Sequence, residues 1–117
     1  MTYVDGFLLA VPKAKLDAYK QMARDAGAVW MEHGALSYVE CTARDVPYGE
    51  LTSFPRALHS TDDEVVIFSW ITYESKAKRD EVMSKVMADP RMKFDMASLP
   101  FDGKRMIFGG FEAFVQL

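Results

Sequence analysis

Cysteine is almost absent. Cys41 stands alone in 117 residues, so no disulfide can close within the chain, and a reducing compartment fits that usage. Histidine is nearly as scarce: His33 and His59 are the only imidazoles, and no two of His33, His59 and Cys41 have the spacing of zinc ligands, so no metal site is expected. No apolar run approaches the roughly 20 residues that a membrane helix needs. The start, Met1-Thr2-Tyr3-Val4-Asp5, lacks the basic region and long apolar stretch of an export signal. Together these absences predict a cytoplasmic protein with no membrane partner.

A basic excess is missing as well. Fourteen Lys and Arg against seventeen Asp and Glu leave a net charge of −3, which disfavours nucleic acid, whose affinity comes mostly from basic phosphate contacts. The basic groupings, Lys104-Arg105 and Lys76-Lys78-Arg79, have no interleaved aromatic motif. No phosphate-binding loop is present, because Gly109-Gly110 falls inside a predicted strand.

Apolar mass is plentiful. Half of the residues are hydrophobic, enough for one domain over residues 1–117 that buries roughly two-thirds of its unfolded surface. Tyr3 to Val11 reads as a strand ended by Pro12. Over Lys13 to Glu32, Leu16, Tyr19, Ala23, Ala26 and Trp30 recur every three or four residues and form one helical stripe, with Gly34 as its stop. Leu36 to Ala43 is a second strand. Arg44 to Asp63, with Pro47, Gly49 and Pro55, shows no period and reads as a long loop of the kind that often covers a site. Glu64 to Thr72 is the clearest strand. Ser75 then caps a second helix that ends before Pro90, a short turn follows over Arg91 to Ala97, and Asp102-Gly103 turns the chain into a last strand, Met106 to Val115.

The order strand, helix, strand, strand, helix, strand predicts an α+β fold, the ferredoxin-like βαββαβ arrangement. Its four-stranded antiparallel sheet carries two helices on one face. The other face should then be polar. It is largely not: Val66, Phe68 and Trp70 lie on one side of the third strand, and Val65, Ile67, Ser69 and Ile71 on the other. The uncovered face is therefore expected to meet a second copy in a homodimer, whose shared interior is either packed shut or holds a small organic ligand.

Several segments carry a resemblance. They are Tyr3-Val4-Asp5-Gly6-Phe7, Trp30-Met31-Glu32-His33-Gly34-Ala35-Leu36, Thr52-Ser53-Phe54-Pro55, Asp89-Pro90-Arg91 and Pro100-Phe101-Asp102-Gly103-Lys104-Arg105-Met106. In these the chain resembles the YbaA-like family of bacterial proteins, domain of unknown function 1428. The resemblance implies a subunit of the dimeric α/β-barrel superfamily, which includes cofactor-independent monooxygenases, haem-degrading enzymes and lactone isomerases; it implies no particular activity. The haem-degrading relatives use an Asn, Trp and His set, and this chain has no asparagine. No cofactor is expected.

The candidate catalytic residues are His33 and Glu40. His33 follows the first helix beside Glu32, where it serves either as a general base or as a cation at the helix C-terminus. Tyr38, Glu40, Phe68, Trp70, Glu112 and Phe114 share the inner sheet face if each strand is counted from its apolar centre. The carboxylates among them belong either to a pocket or to structural pairs with Arg or Lys. Arg56, on the long loop, either clamps an anionic ligand or stays solvated. The binding candidates are thus Tyr38, Arg56, Trp70 and Glu112. Met83, Met87, Met92 and Met96 read as core filler. Two functions compete: a dimeric small-molecule-binding barrel with cofactor-independent chemistry, and a non-catalytic structural dimer. RNA association ranks below both.

Overall fold

A nearly unbroken apolar run, Phe7-Leu8-Leu9-Ala10-Val11, forms the second half of strand β1, Tyr3–Pro12, in a computed structural model that describes residues 1–117 apart from the side chain of Met96. A single 3-10 turn leads into helix α1, Leu16–Glu32, whose C-terminus is closed by Gly34 at φ 116°. Strand β2 is Ser37–Thr42, helix α2 Phe54–Leu58, strand β3 Glu64–Tyr73, helix α3 Lys76–Ala88 and strand β4 Ile107–Glu112. The Ser53 and Ser75 side chains accept the backbone N–H groups of Arg56 and Lys78, so serine caps both later helices. Between α3 and β4 the chain makes three 3-10 turns, capped in succession by Asp89, Asp95 and Asp102. None of the described helices is long and apolar enough to cross a membrane.

The strands form one antiparallel sheet in the order β2-β3-β1-β4. Register assigns the faces, because directly paired residues point the same way. Glu40 opposes Ser69, Ser69 opposes Phe7, and Phe7 opposes Phe108; this row lies on the face that α1 and α3 cover. Val39 opposes Trp70, Trp70 opposes Gly6, and Gly6 opposes Gly109 on the other face. The core fills the first face, where Leu9, Val11, Ile67, Ile71 and Tyr73 meet Tyr19, Ala23, Trp30, Val82 and Val86.

Three expectations need correction. The long loop contains a helix, α2, too short to show a period, and Leu58 is fully buried there against Ala10 and Val66. The second face is therefore covered at one end and bare over the rest. The last strand stops at Glu112 because its partner β1 begins at Tyr3, and beyond a single bond from the Ala113 N–H to the Thr2 carbonyl the chain leaves the sheet. Phe114, expected on the inner face, is 91% exposed. Helix α3 buries only Val82 and Val86 along its length. Met83 and Met92 pack on the core, Met87 faces solvent, and the Met96 side chain lies outside the described residues.

An ionic anchor seats α3 in place of a broad apolar stripe. Asp5, 3% exposed, accepts Nε–H and Nη2–H bonds from Arg79 at 3.0–3.2 Å and an O–H bond from Tyr73 at 2.9 Å; Trp30 in turn donates to the Tyr73 hydroxyl at 3.1 Å. A buried carboxylate needs such a full set of donors to offset the loss of water.

Candidate functional site

Glu40 projects from the edge strand β2 towards α1. Its Oε1 accepts the Tyr19 hydroxyl at 2.6 Å, and its Oε2 accepts the Tyr38 hydroxyl at 2.8 Å. Strand alternation puts Tyr38 and Glu40 on one face two residues apart, and Tyr19 reaches them from the apolar stripe of α1. Burial, then the bond to Glu40 and its charge, push the Tyr19 phenol far above its ordinary pKa. Burial and the Glu40 charge do the same to Tyr38. Both hydroxyls thus remain donors throughout the physiological range. Each Glu40 oxygen keeps acceptor capacity beyond its tyrosine, so a further partner at this carboxylate must bring an O–H or N–H.

The carboxylate stands between two hollows. On one side a cleft of about 520 Å³ opens between α1 and β2, with Lys20, Arg24 and Met31 along its helix wall and Thr42 on the strand. On the other side lies a chamber of about 260 Å³ over the sheet, walled by Phe7, Leu9, Trp30 and Ile71 and roofed by Met92 and Phe101 from the turns after α3. Among the described residues, Glu40 is the one charged residue lining that chamber. Gly27 is what lets the helix come this close: a Cβ there would lie 2.7 Å from Cδ1 of Tyr38. Among the described residues no three His, Cys, Asp or Glu side chains gather as metal ligands.

The bare sheet face holds a third hollow, about 690 Å³, between Trp70, Phe68, Leu8, Ile107 and Phe111. Gly6 and Gly109, paired in register, form its floor, and the Phe111 ring leans over them. Phe54 of α2 meets Phe68 edge-on at 6.0 Å, and Phe68 meets Trp70 at 5.6 Å, so the loop helix walls this face at one end.

The candidate residues named from sequence are divided among these places. Tyr38 and Glu40 come together as expected from their spacing, but Glu40 is met by tyrosines, with no Arg or Lys pair. Trp70 lies on the opposite face, because counting each strand from its own apolar centre sets β2 one residue out of step with β3. Glu112 sits opposite Tyr3 at the end of β4, exposed and on the helix-covered side. His33 is joined to neither Glu40 nor Trp70: its Nε2 lies 2.9 Å from Asp89 Oδ2, where Arg91 also binds. Arg91 first and His33 second hold the Asp89 carboxyl far below the usual carboxylate range, and Arg91 reaches on to Glu32. Arg56 stacks 3.9 Å over the Tyr48 ring and gives its Nε–H and Nη2–H to the Tyr48 and Gly49 carbonyls, so one edge of its guanidinium is held by its own loop.

Tyr19, Ser69 and Asp5 were not singled out from the sequence. Tyr19 belongs to the apolar stripe of α1, and its hydroxyl is informative only with Glu40 opposite it. Ser69 did carry a signal, as the single hydroxyl in the buried alternation Val65, Ile67, Ser69, Ile71.

Comparison with known proteins gives a consistent result. The family model described as "Protein of unknown function (DUF1428)" matches residues 2–103. The "Uncharacterized protein YbaA" of Escherichia coli (strain K12) is 54% identical over 115 residues, covering 98% of this chain and 98% of that protein. The protein of the same description from Shigella flexneri matches with the same identity and coverage.

Proposed function

The chain belongs to the DUF1428 family of proteins of unknown function, and from that premise we propose that it is a self-associating subunit of the dimeric α/β-barrel type that binds a small organic molecule. The sheet order β2-β3-β1-β4 with strand-helix-strand halves supports a ferredoxin-like subunit. Phe68 at 45% exposure, Ile107 at 42% and Phe111 at 65%, side by side on the bare face, support a second copy seated there, since a contiguous apolar surface of this kind marks an interface.

The observation that carries the binding function is the Tyr19–Glu40–Tyr38 set, a carboxylate held between an apolar chamber and an open cleft. Apolar walls with a few convergent polar groups are the usual form of a small-molecule site. No resident cofactor is invoked, and Glu40 is the proton acceptor on hand for cofactor-free chemistry. A screen of small fragments by two-dimensional NMR tests this. Saturable shifts confined to the Trp30 indole, Tyr38 and Ser69 support the reading; a library that moves none of them defeats it.

Closure of the hydrogen bonds favours a second reading. Every described side-chain nitrogen and oxygen sealed from solvent is partnered. On that reading Tyr19–Glu40–Tyr38 only ties α1 to the edge strand, and the protein is a structural dimer.

A further inference from the structure

The chamber beneath the turns after α3 carries information about what it takes, and the following rests on the binding reading above. Ser69 lies opposite Glu40 in the β2–β3 register, on the same face, so the two side chains start roughly 5 Å apart. Ser69 is 6% exposed and lines the chamber. Its hydroxyl makes no hydrogen bond to a described residue, while sealed polar side-chain atoms elsewhere are partnered, so the hydroxyl opens onto the chamber itself. Open to the chamber, the hydroxyl can be met by water when the chamber is free, and it is available to a ligand that matches it.

The two groups differ in what they ask for. Glu40 accepts only, so its partner must donate. The Ser69 hydroxyl both donates and accepts. The remaining walls are aromatic and aliphatic, with Phe7, Trp30 and Phe101 presenting rings. A cavity of roughly 150 Å³ takes up benzene; about 260 Å³ therefore admits one ring with two short substituents. An anion is excluded by the Glu40 charge. A cation would lose its water among apolar walls to face a carboxylate already satisfied by two phenols, a poor exchange for a buried ion.

We propose that this chamber is a binding site for an uncharged single-ring compound that carries a hydroxyl with a second oxygen on the adjacent carbon. The hydroxyl donates to Glu40, the neighbouring oxygen accepts from Ser69, and the ring lies among Phe7, Trp30 and Phe101. Met92 and Phe101, on the capped turns, form the roof under which the ring is held.

Four probes test the assignment on the full-length protein by two-dimensional NMR titration: guaiacol, anisole, benzylamine and benzoate. Guaiacol is expected to bind saturably with a Kd on the order of 1 mM, a fair affinity for so small a molecule. Anisole, which lacks the donor, should bind at least about tenfold more weakly. Benzoate should leave the Trp30 indole signal in place. Ser69→Ala, a small change that keeps the spectrum dispersed, should weaken guaiacol about two- to tenfold. Equal binding of anisole, tighter binding of benzylamine or benzoate, or unchanged guaiacol affinity in Ser69→Ala would overturn the proposal. If benzylamine or other fragments move the Trp30 and Tyr38 signals while guaiacol does not, this ligand class is wrong and the binding function stands. If nothing in the fragment library moves them, both fall.

Discussion

Replacing Gly27 by Ala should destabilise the protein, against the usual direction of that change in a helix. In a helix interior, Gly→Ala ordinarily stabilises by about 1 kcal/mol, because alanine has less backbone freedom to lose. At Gly27 a Cβ would lie 2.7, 2.9 and 3.2 Å from Cδ1, Cε1 and Cγ of Tyr38. These are the inner atoms of a ring that cannot swing aside cheaply, since its hydroxyl is bound to Glu40 at 2.8 Å and its face packs near Trp30 at 6.1 Å between centroids. Overpacking of a well-filled contact costs about 1–3 kcal/mol, and loss of the Tyr38–Glu40 bond adds about 1 kcal/mol. The net expectation is a loss of about 1–3 kcal/mol. Urea unfolding measures it, and a background without the ring gives the control: in Tyr38→Ala, the same Gly27→Ala change should stabilise by about 1 kcal/mol. Stabilisation of the otherwise unaltered protein would refute the close approach of α1 to Tyr38 and the site geometry built on it.

Three further outcomes are expected. The Arg105 guanidinium binds Glu64 at 2.6 and 3.0 Å, with help from the Thr61 N–H, and lowers the Glu64 pKa from 4.5 to about 2. The sign follows: a folded-state value below the unfolded one contributes stability above about pH 4.5 that disappears as pH falls towards about 2, so Arg105→Met should cost less in acid than at pH 7 in a urea series. Arg79→Met leaves Asp5 buried with only the Tyr73 donor and should cost about 2–4 kcal/mol, while Asp5→Asn, which keeps an acceptor for both partners, should cost less; equal costs would contradict the anchor described for α3. Light scattering at micromolar concentration should give twice the 13.2 kDa of one subunit, and Phe68→Asp should halve it; a mass of 13.2 kDa before substitution would remove the second copy from the bare face.

How far the sequence carried is best judged element by element. The 3.6-residue stripe of α1 and the short continuous apolar runs of β1 and β3 are strong local signals, and the structure places those elements within a few residues of expectation. Helix α2 was invisible because five residues complete little more than one turn, and its one buried residue, Leu58, shows no repeat. The end of β4 was set by where β1 begins, a long-range fact that no window around Phe114 contains. Tyr38 and Glu40 were legible as a pair because alternation holds within one strand. Trp70 was misplaced relative to them because alternation does not fix the register between strands. His33 and Asp89 are 56 residues apart and meet only through the packing of α1 on α3, so no spacing rule brings them together. The same holds for Asp5 and Arg79, whose pairing converts part of an otherwise solvated cationic run on α3 into a structural anchor.

The central claim is that Glu40 is a binding residue and more than a strut between α1 and β2, and Glu40→Gln tests it most directly. Glutamine keeps the shape and one acceptor oxygen, so one tyrosine hydroxyl stays bonded and the stability cost should be about 1–2 kcal/mol. A ligand donor that meets a carboxylate, however, loses a charge-assisted bond, worth roughly a tenfold or greater change in affinity. The decisive measurement is the dissociation constant of the tightest chamber-binding fragment for the wild-type and Glu40→Gln proteins, taken on samples shown by urea unfolding to be fully folded. The account predicts binding weakened at least about tenfold in the variant. Equal affinity in two folded proteins would contradict it and leave Tyr19–Glu40–Tyr38 as a latch.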